Sequence, residues 1–550
     1  MLLENRKNKT VSLKSQTIFA LFAIFMLAYS CKNSNTSDYK IFRYNESKGI
    51  PTLDPAFARN QTIIWPTSNI FNGLVQLDNQ LHVKPDIATR WESSNNSLTH
   101  TFYLRTDVYF HEHELFGNEK TRKVTAQDFV YSFNRIIDPS TSSPGAWIFT
   151  NTDKDFGLNG FYALNDSVLQ IKLIKPFVPF VAMLAMPYCM VVPKEAIDFL
   201  GDKFGQNPIG TGPFSFALWD LNNKLILKRN PIYFEHDSLG NQLPYLDAIH
   251  ISFIADKQSE FMEFLLGKID FISGINATNK DELLTRDGQL RQKHHDKFYL
   301  QTYPYLNTEY LGFNLDSTQP GYVEKEVREA LNYAFDRERM VVFLRNNLAI
   351  PANVSLTPPI LYPEGSKQPK GYEFNQEKAI NILKNAGYGT SKELKPITLT
   401  TTPDYLDIAE FFQHQAKQIG VKIVIETATG AAFRQKVANG DLPFFRASWI
   451  ADYPHAENYL SLFYSKNLTP TGPNYTKFIS PLYDSLYLQI STNEQFEHLI
   501  PKADSIVMNE AAVIPLFYDV VVRVVNKRVT NLPINALNAI SLKCTRVCDK

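Results

Sequence analysis

The stretch from Lys395 to Trp449 does most to constrain this chain, because its apolar residues change period more than once. Ile397 to Thr402 alternates every second residue, as a half-buried strand does. Ile408, Phe411, Phe412 and Ile419 then recur at helical spacing, and Gly420 caps that helix. Val421 to Ile425 alternates again. A short helix is predicted around Phe433 and Val437, and Phe444 to Trp449 closes the unit as a strand. Such an order favours parallel pairing with a right-handed crossover, hence an α/β body. Ligands in open α/β sheets bind beyond the carboxyl ends of strands, so the residues after Trp449 are the first place to look for a site.

The rest of the body mixes the same two periods and has no repeat or low-complexity block. Thr125-Ala126-Gln127-Asp128 has the form of a capping box, and the helix it opens carries Phe129, Val130, Phe133, Ile136 and Ile137 on one face until Pro139 stops it. Val327, Ala330, Leu331, Ala334 and Phe335 form a second apolar stripe. A third helix starts after Asn375, buries Ala379, Ile382, Leu383 and Ala386, and ends at Gly387. With 550 residues, the chain exceeds what one hydrophobic core supports, so two or three lobes are expected.

The N-terminus reads as an export signal. A basic stretch precedes the apolar run Ile18 to Leu27, which is too short to span a bilayer and suits a signal-peptide core. Leu27-Ala28-Tyr29-Ser30-Cys31 resembles a bacterial lipobox, with Tyr29 larger than usual; it implies lipidation of Cys31, and the polar KNSNTSD behind it is a tether. The alternative is an ordinary secretory signal with a chance cysteine. The chain has 56 basic and 56 acidic side chains; the first thirty residues hold Arg6, Lys7, Lys9 and Lys14 against Glu4, leaving 52 basic and 55 acidic. A charge near −3 gives no attraction to nucleic acid or anionic lipid. Beyond Cys31 stand Cys189, Cys544 and Cys548, which is no disulfide framework; the last two either pair or are incidental thiols.

Several segments in order resemble the family-5 extracellular solute-binding proteins, the peptide receptors of ABC importers. They are Thr52-Leu53-Asp54-Pro55, Ile70-Phe71-Asn72-Gly73-Leu74, Pro85 to Glu92, Leu98 to Arg105, Val108 to His111 and Val124 to Pro139. Gly210-Thr211-Gly212-Pro213-Phe214, Val327 to Val341, the KAINILKNAGY helix ending at Tyr388, and Trp449-Ile450-Ala451-Asp452-Tyr453-Pro454 follow. The resemblance implies a two-lobe periplasmic-binding-protein-like fold with a hinge and a discontinuous first lobe. Its expected parts are a signal peptide 1–30, a lipidated tether 31–38, first-lobe segments 39–62, 207–302 and 513–550, a small domain 63–206 inserted in that lobe, and a second lobe 303–512. Solute is enclosed as the lobes close.

The resemblance also implies partners and site residues. Partners are a peptide or similar small solute, a membrane permease with its ATPase subunits, and a membrane reached through the lipid on Cys31; the receptor is expected as a monomer on the periplasmic side, with no nucleic acid and no cofactor or metal. Asp452 would pair with a peptide's α-ammonium group, each charge compensating the other's desolvation; the plainer reading is an aspartate that bonds local backbone. Ser448, Trp449 and Ile450 would offer backbone groups to an extended peptide by strand addition. Trp449 and Tyr453 would floor a pocket or simply be core, and Ile50 is placed near peptide backbone or in packing. Related receptors take nickel chelates, haem or oligosaccharides, which remain alternative solutes, and solute sensing without transport remains an alternative role.

A secreted peptide-processing enzyme is the competing class, and motifs for it are missing. His111 and His113 in His111-Glu112-His113-Glu114 stand two apart, whereas a zinc peptidase needs two histidines one helical turn apart, so these are expected as solvated loop residues. There is no Gly-x-Ser-x-Gly elbow or Walker loop. Gly210-Thr211-Gly212-Pro213 is expected as a scaffold turn supplying positive φ, and not as a phosphate cradle.

Overall fold

The computed structural model describes residues 39–548 apart from Asn95 and Asn276. Cys31 and the apolar run before it lie outside the described residues. The body is α/β with two lobes built on three main sheets. In the first lobe, Ile41–Asn45 pairs in parallel with Ala248–Ser252, which continues antiparallel into Lys224–Arg229 and Phe214–Asp220. A separate antiparallel sheet is ordered Ala88–Ser93, Thr99–Leu104, Val168–Lys172, Phe161–Asn165. Thr99–Leu104 alternates partly buried and buried residues, turning His100, Phe102 and Leu104 inward. Against that sheet lies the helix Ala126–Ile137, which buries Phe129, Val130, Phe133 and Ile136. Its start is fixed as the capping pattern requires: Thr125 N donates to Asp128 Oδ2 at 2.8 Å.

The second lobe holds most of a seven-stranded mixed sheet. Ile397–Thr401 pairs in parallel with Ile423–Thr427 through the helix Leu406–Gln418, and Phe444–Ile450 lies on the other side of Ile397–Thr401. Gly420 has φ of 84° after that helix, the left-handed geometry a C-cap glycine provides. Because both faces are covered, successive side chains enter different cores. Phe444 stacks on Phe313 at 4.3 Å between ring centroids, while its neighbour Phe445 joins Tyr310 in the opposite core.

Two long strands, Phe298–Phe313 and Val513–Asn526, pair with each other antiparallel and run together from one lobe into the other. Near Phe298 they lie beside Phe271–Ser273, and near Phe313 beside Phe444–Ile450. Their register breaks between Pro304 and Thr308, where Tyr305, Leu306 and Asn307 face Asp519. An irregularity of that kind bends a strand pair, and it sits where the chain passes between lobes.

Two local expectations change. Gly210 and Gly212 do not have positive φ. What excludes a side chain is close approach: a Cβ on Gly212 would lie 2.5 Å from the carbonyl carbon of Ile70 and 2.7 Å from its oxygen. Gly212 N donates to that same oxygen at 2.8 Å, so neither backbone can retreat. Gly212→Ala is therefore expected to destabilise the first lobe by about 1–3 kcal/mol, the usual range for overpacking, read as a lowered melting temperature by calorimetry. His111 is not solvated. It is buried, accepts from Gly210 N at Nδ1 (3.2 Å) and lies 3.0 Å from Gly212 O at Nε2, so its ring braces the same turn in neutral form. Burial pushes it down to about 4. His113 accepts from Leu115 N at the head of a short helical turn. Cys189 is a buried free thiol, and Cys544 and Cys548 are exposed free thiols.

Candidate functional site

A cleft of about 500 Å³ runs between the lobes. Segments far apart in sequence line it: Ala58 to Gln61, Phe71 to Gly73, Met186 to Tyr188, Ile450 to Tyr453, and Asn538 to Ser541. The lobes already touch beside it. Val178 N donates to Ser491 O at 2.9 Å, and the rings of Trp147 and Tyr453 stand 6.3 Å apart.

Asp452 lies at the cleft wall directly after the strand Phe444–Ile450, beyond its carboxyl end. Water reaches the side chain, yet protein surrounds it closely enough that burial lifts the carboxyl to about 6, with a hydrogen bond from Asn458 pulling the other way. No cation pairs with it among the described residues. Asn458 is itself oriented from the other side, since Trp449 Nε1 donates to its Oδ1 at 2.8 Å. Trp449 thus acts behind the cleft wall and does not line the cavity.

Tyr453 has its ring toward the first lobe and its hydroxyl in the second. The hydroxyl donates to Glu457 Oε2 at 2.5 Å, and Tyr487 donates to Oε1 of the same buried carboxylate at 2.5 Å. Glu457 N in turn donates to His455 Nδ1 at 3.0 Å. The turn that carries Asp452 is therefore held by a buried polar network, which fixes the carboxylate's place without neutralising it.

The main chain before Asp452 is open on one edge. Ala451 N donates to Leu306 O at 2.8 Å, so by the alternation of a strand Ala447, Trp449 and Ala451 face Phe298–Phe313. Ser448 and Ile450 point the opposite way. On that side pairing with Ile397–Thr401 stops at Phe445, leaving the N–H and C=O of Ser448 and Ile450 without a strand partner among the described residues. The Ile450 side chain is half exposed and lines the cleft.

Ile50 is in a different place: it is buried in the first-lobe core and does not line the cavity. The chain reaches the cleft a few residues later, at Arg59, Asn60 and Gln61. Reading the sequence also missed Tyr188 and Tyr305. Burial raises Tyr188 to about 12, with the charge of Asp452 adding to the rise and Arg59 opposing it. Tyr305 comes from the hinge break and is likewise raised to about 12 by burial. Asp86 lies at the far end, lifted by burial to about 7 against the pull of Lys543, and accepts from Asn72 Nδ2 (2.9 Å) and Gly73 N (3.1 Å).

Among the described residues no cluster of histidine, cysteine and carboxylate side chains could hold a metal ion, and no helix is long and apolar enough to cross a membrane. The arrangement is a recess between two lobes, with a fixed carboxylate at a strand end and an unused strand edge.

Known proteins are similar to this chain in sequence and in fold. The periplasmic oligopeptide-binding protein OppA of Escherichia coli (strain K12) is 28% identical over 88% of this chain and 87% of its own length. Among solved structures, HbpA2 from Haemophilus parasuis superposes with a TM-score of 0.78 at 24% identity, covering 92% of this chain and 99% of that one. The periplasmic binding protein DppA from Helicobacter pylori in complex with the peptide STSA gives a TM-score of 0.73 at 23% identity, covering 94% and 100%. Residues 82–470 match the family described as bacterial extracellular solute-binding proteins, family 5. With more than half its length matched and a hinged, two-lobe α/β body around an open cleft, this chain belongs to the family-5 bacterial extracellular solute-binding proteins.

Proposed function

We propose that the protein captures peptides with a free amino terminus in its interlobe cleft and delivers them to an ABC permease. The observation that carries this reading is the uncompensated carboxylate of Asp452, fixed at the end of a strand whose outer edge is free. An ammonium group there would gain a charge-assisted bond in place of lost hydration. The open groups of Ser448 and Ile450 would bond peptide main chain irrespective of side-chain identity. Resemblance to oligopeptide-binding relatives supports the same reading.

In this reading the inserted domain at 63–206 contains the whole antiparallel sheet from Ala88 to Lys172, the second lobe is 303–512, and segments 39–62, 207–302 and 513–550 complete the first. The body hangs on the periplasmic side of a membrane from a lipid on Cys31 and works as a monomer. No chemistry is performed on the solute.

The test is native mass spectrometry of the protein isolated from its host, followed by exchange against tetrapeptide pools with free or acetylated amino ends. Cargo that is a peptide, with preference for free amino ends, is the expected result; a non-peptide solute retained in the cleft would sink the proposal. A pH dependence follows from the same carboxylate. Binding an ammonium requires ionised Asp452, whose raised position near 6 means that protons compete as pH falls. Affinity is expected to be flat above about pH 7 and to fall up to tenfold per unit below about pH 6, measured by titration calorimetry. Acetylated peptides should lack that dependence.

A further inference from the structure

A second recess, of about 280 Å³, lies in the first lobe and shares no lining residue with the cleft. That volume is near the lower bound of roughly 300 Å³ for small-ligand pockets, so it suits a small polar group. Lys40, Arg229 and Arg546 line it, and among the described residues no acidic side chain does. None of the three cations has an ion pair among the described residues. Arg229 makes one side-chain bond, from Nη2 to Gln242 O at 3.3 Å. Arg546 lies 3.6 Å over the centre of the Tyr245 ring and reaches its hydroxyl. The Lys40 ammonium has no partner among the described residues.

The fold brings these charges together. Asp247 N donates to Lys40 O at 2.9 Å, and Arg229 N donates to Asp247 O at 2.8 Å. Lys40 therefore stands just before the strand Ile41–Asn45 and Arg229 at the end of Lys224–Arg229, on either side of Ala248–Ser252. Arg546 is held by the pairing of Arg546–Val547 with Val529–Thr530. The nearby carboxylates are occupied elsewhere. Asp247 Oδ2 accepts from Lys40 N at 2.9 Å, and Asp237 accepts from Leu239 N and Asn241 N at 2.8 Å each and from the Tyr245 hydroxyl. Three cations on anchored main chain, two of them guanidiniums and none neutralised, form a site for an oxyanion. The planar donor fork of arginine matches phosphate oxygens best.

We propose that this recess takes the phosphate of an anionic phospholipid headgroup in the membrane to which the body is tethered. The proposal rests on the lipid anchor at Cys31 in the reading above. Lys40 follows Cys31 by nine residues, a chain that reaches at most about 32 Å, so the recess stays within that distance of the anchor. Beyond the first thirty residues, 52 basic side chains stand against 55 acidic, which gives no attraction to anionic lipid at range. A tether makes steering unnecessary, because it keeps headgroups at high effective concentration, and the three cations then act at contact. Seating a headgroup there turns this end of the first-lobe sheet towards the bilayer and sets the orientation in which the body meets its permease.

The test takes the protein extracted from its host membrane in a mild non-ionic detergent and titrates it, in native mass spectrometry, with phosphatidylglycerol, phosphatidylcholine or inorganic phosphate. Phosphatidylglycerol is expected to be retained at least tenfold more tightly than phosphatidylcholine, whose choline brings a cation to the recess. Arg229→Gln combined with Arg546→Gln should lose at least tenfold for phosphatidylglycerol, on a scale of about fivefold per cation, while the corresponding double lysine variant keeps most of the affinity. Peptide capture in the cleft should not change in either. Lys40→Gln, whose side chain makes no bond in the fold, should lose about fivefold and gives the same reading if the double variant does not fold. Equal retention of the two lipids overturns the proposal, as does a folded double glutamine variant, or Lys40→Gln, that binds like the wild type. Inorganic phosphate bound as tightly as phosphatidylglycerol makes the recess a free-phosphate site and overturns the headgroup assignment. The same spectra give the mass of the mature chain. Without acyl chains on Cys31 the anchor reading fails and takes this proposal with it; acylated protein with no preference for the anionic lipid sinks this proposal alone.

Discussion

Asp452→Asn is expected to weaken binding of peptides with free amino termini by about 2–5 kcal/mol, the scale for truncating one partner of an enclosed charge pair. That corresponds to a rise in Kd of roughly thirtyfold to several thousandfold. The substitution keeps the shape of the side chain, so the turn held by Tyr453, Tyr487 and Glu457 stays in place. It leaves the ligand's ammonium enclosed without a counter-charge. N-acetylated peptides lack that ammonium and should lose far less. A second readout separates recognition from stability. Burial disfavours the ionised carboxyl, so a neutral amide should leave the melting temperature of the ligand-free protein at neutral pH equal to or above that of the wild type. Equal losses for free and acetylated peptides would remove the proposed role of Asp452.

The place of Asp452, directly beyond a strand's carboxyl end, was legible from period alone, while its role came only from the resemblance. The same holds for the place of the unit around it. The strands expected at 397–402, 421–425 and 444–449 stand at Ile397–Thr401, Ile423–Thr427 and Phe444–Ile450, shifted by at most two residues, since period and capping are encoded within a dozen neighbours. The helix begun by Thr125 is as expected for the same reason. What depends on distant partners was hidden. His111 reads as a loop histidine until the turn at Gly210 to Gly212, about a hundred residues away, closes over it. The two glycines were recognised as scaffold for the wrong cause, because positive φ is a local property and contact with the Ile70 carbonyl is not. Arg59 and Tyr188 carry no periodic signal. They matter only because folding brings both to the cavity that Asp452 faces.

Glu309→Gln is expected to have the largest effect on stability, and no sequence pattern marked this residue. Glu309 is on the hinge strand Phe298–Phe313 just past its register break, and its carboxylate bonds the Arg446 guanidinium on the strand that leads to Asp452. Both side chains are buried, and Arg446 lies 3.2 Å over the centre of the Tyr405 ring. Burial raises the Glu309 carboxyl even with Arg446 opposing, so desolvation outweighs attraction in this pair. Such a pair adds little net stability while intact, yet removing one charge strands the other. Neutralising Glu309 should cost about 3–5 kcal/mol, because the buried Arg446 guanidinium loses its bonded carboxylate and keeps only the longer-range attraction of Asp519. For a lobe of some two hundred residues that is a fall in melting temperature of roughly 6–20 °C. Replacing both partners by methionine should recover most of the loss, as apolar side chains of similar volume need no counter-charge. If the single variant melted like the wild type, or the double variant melted no higher than the single, the argument from an uncompensated buried charge would fail. The pair would then be held by something other than mutual neutralisation.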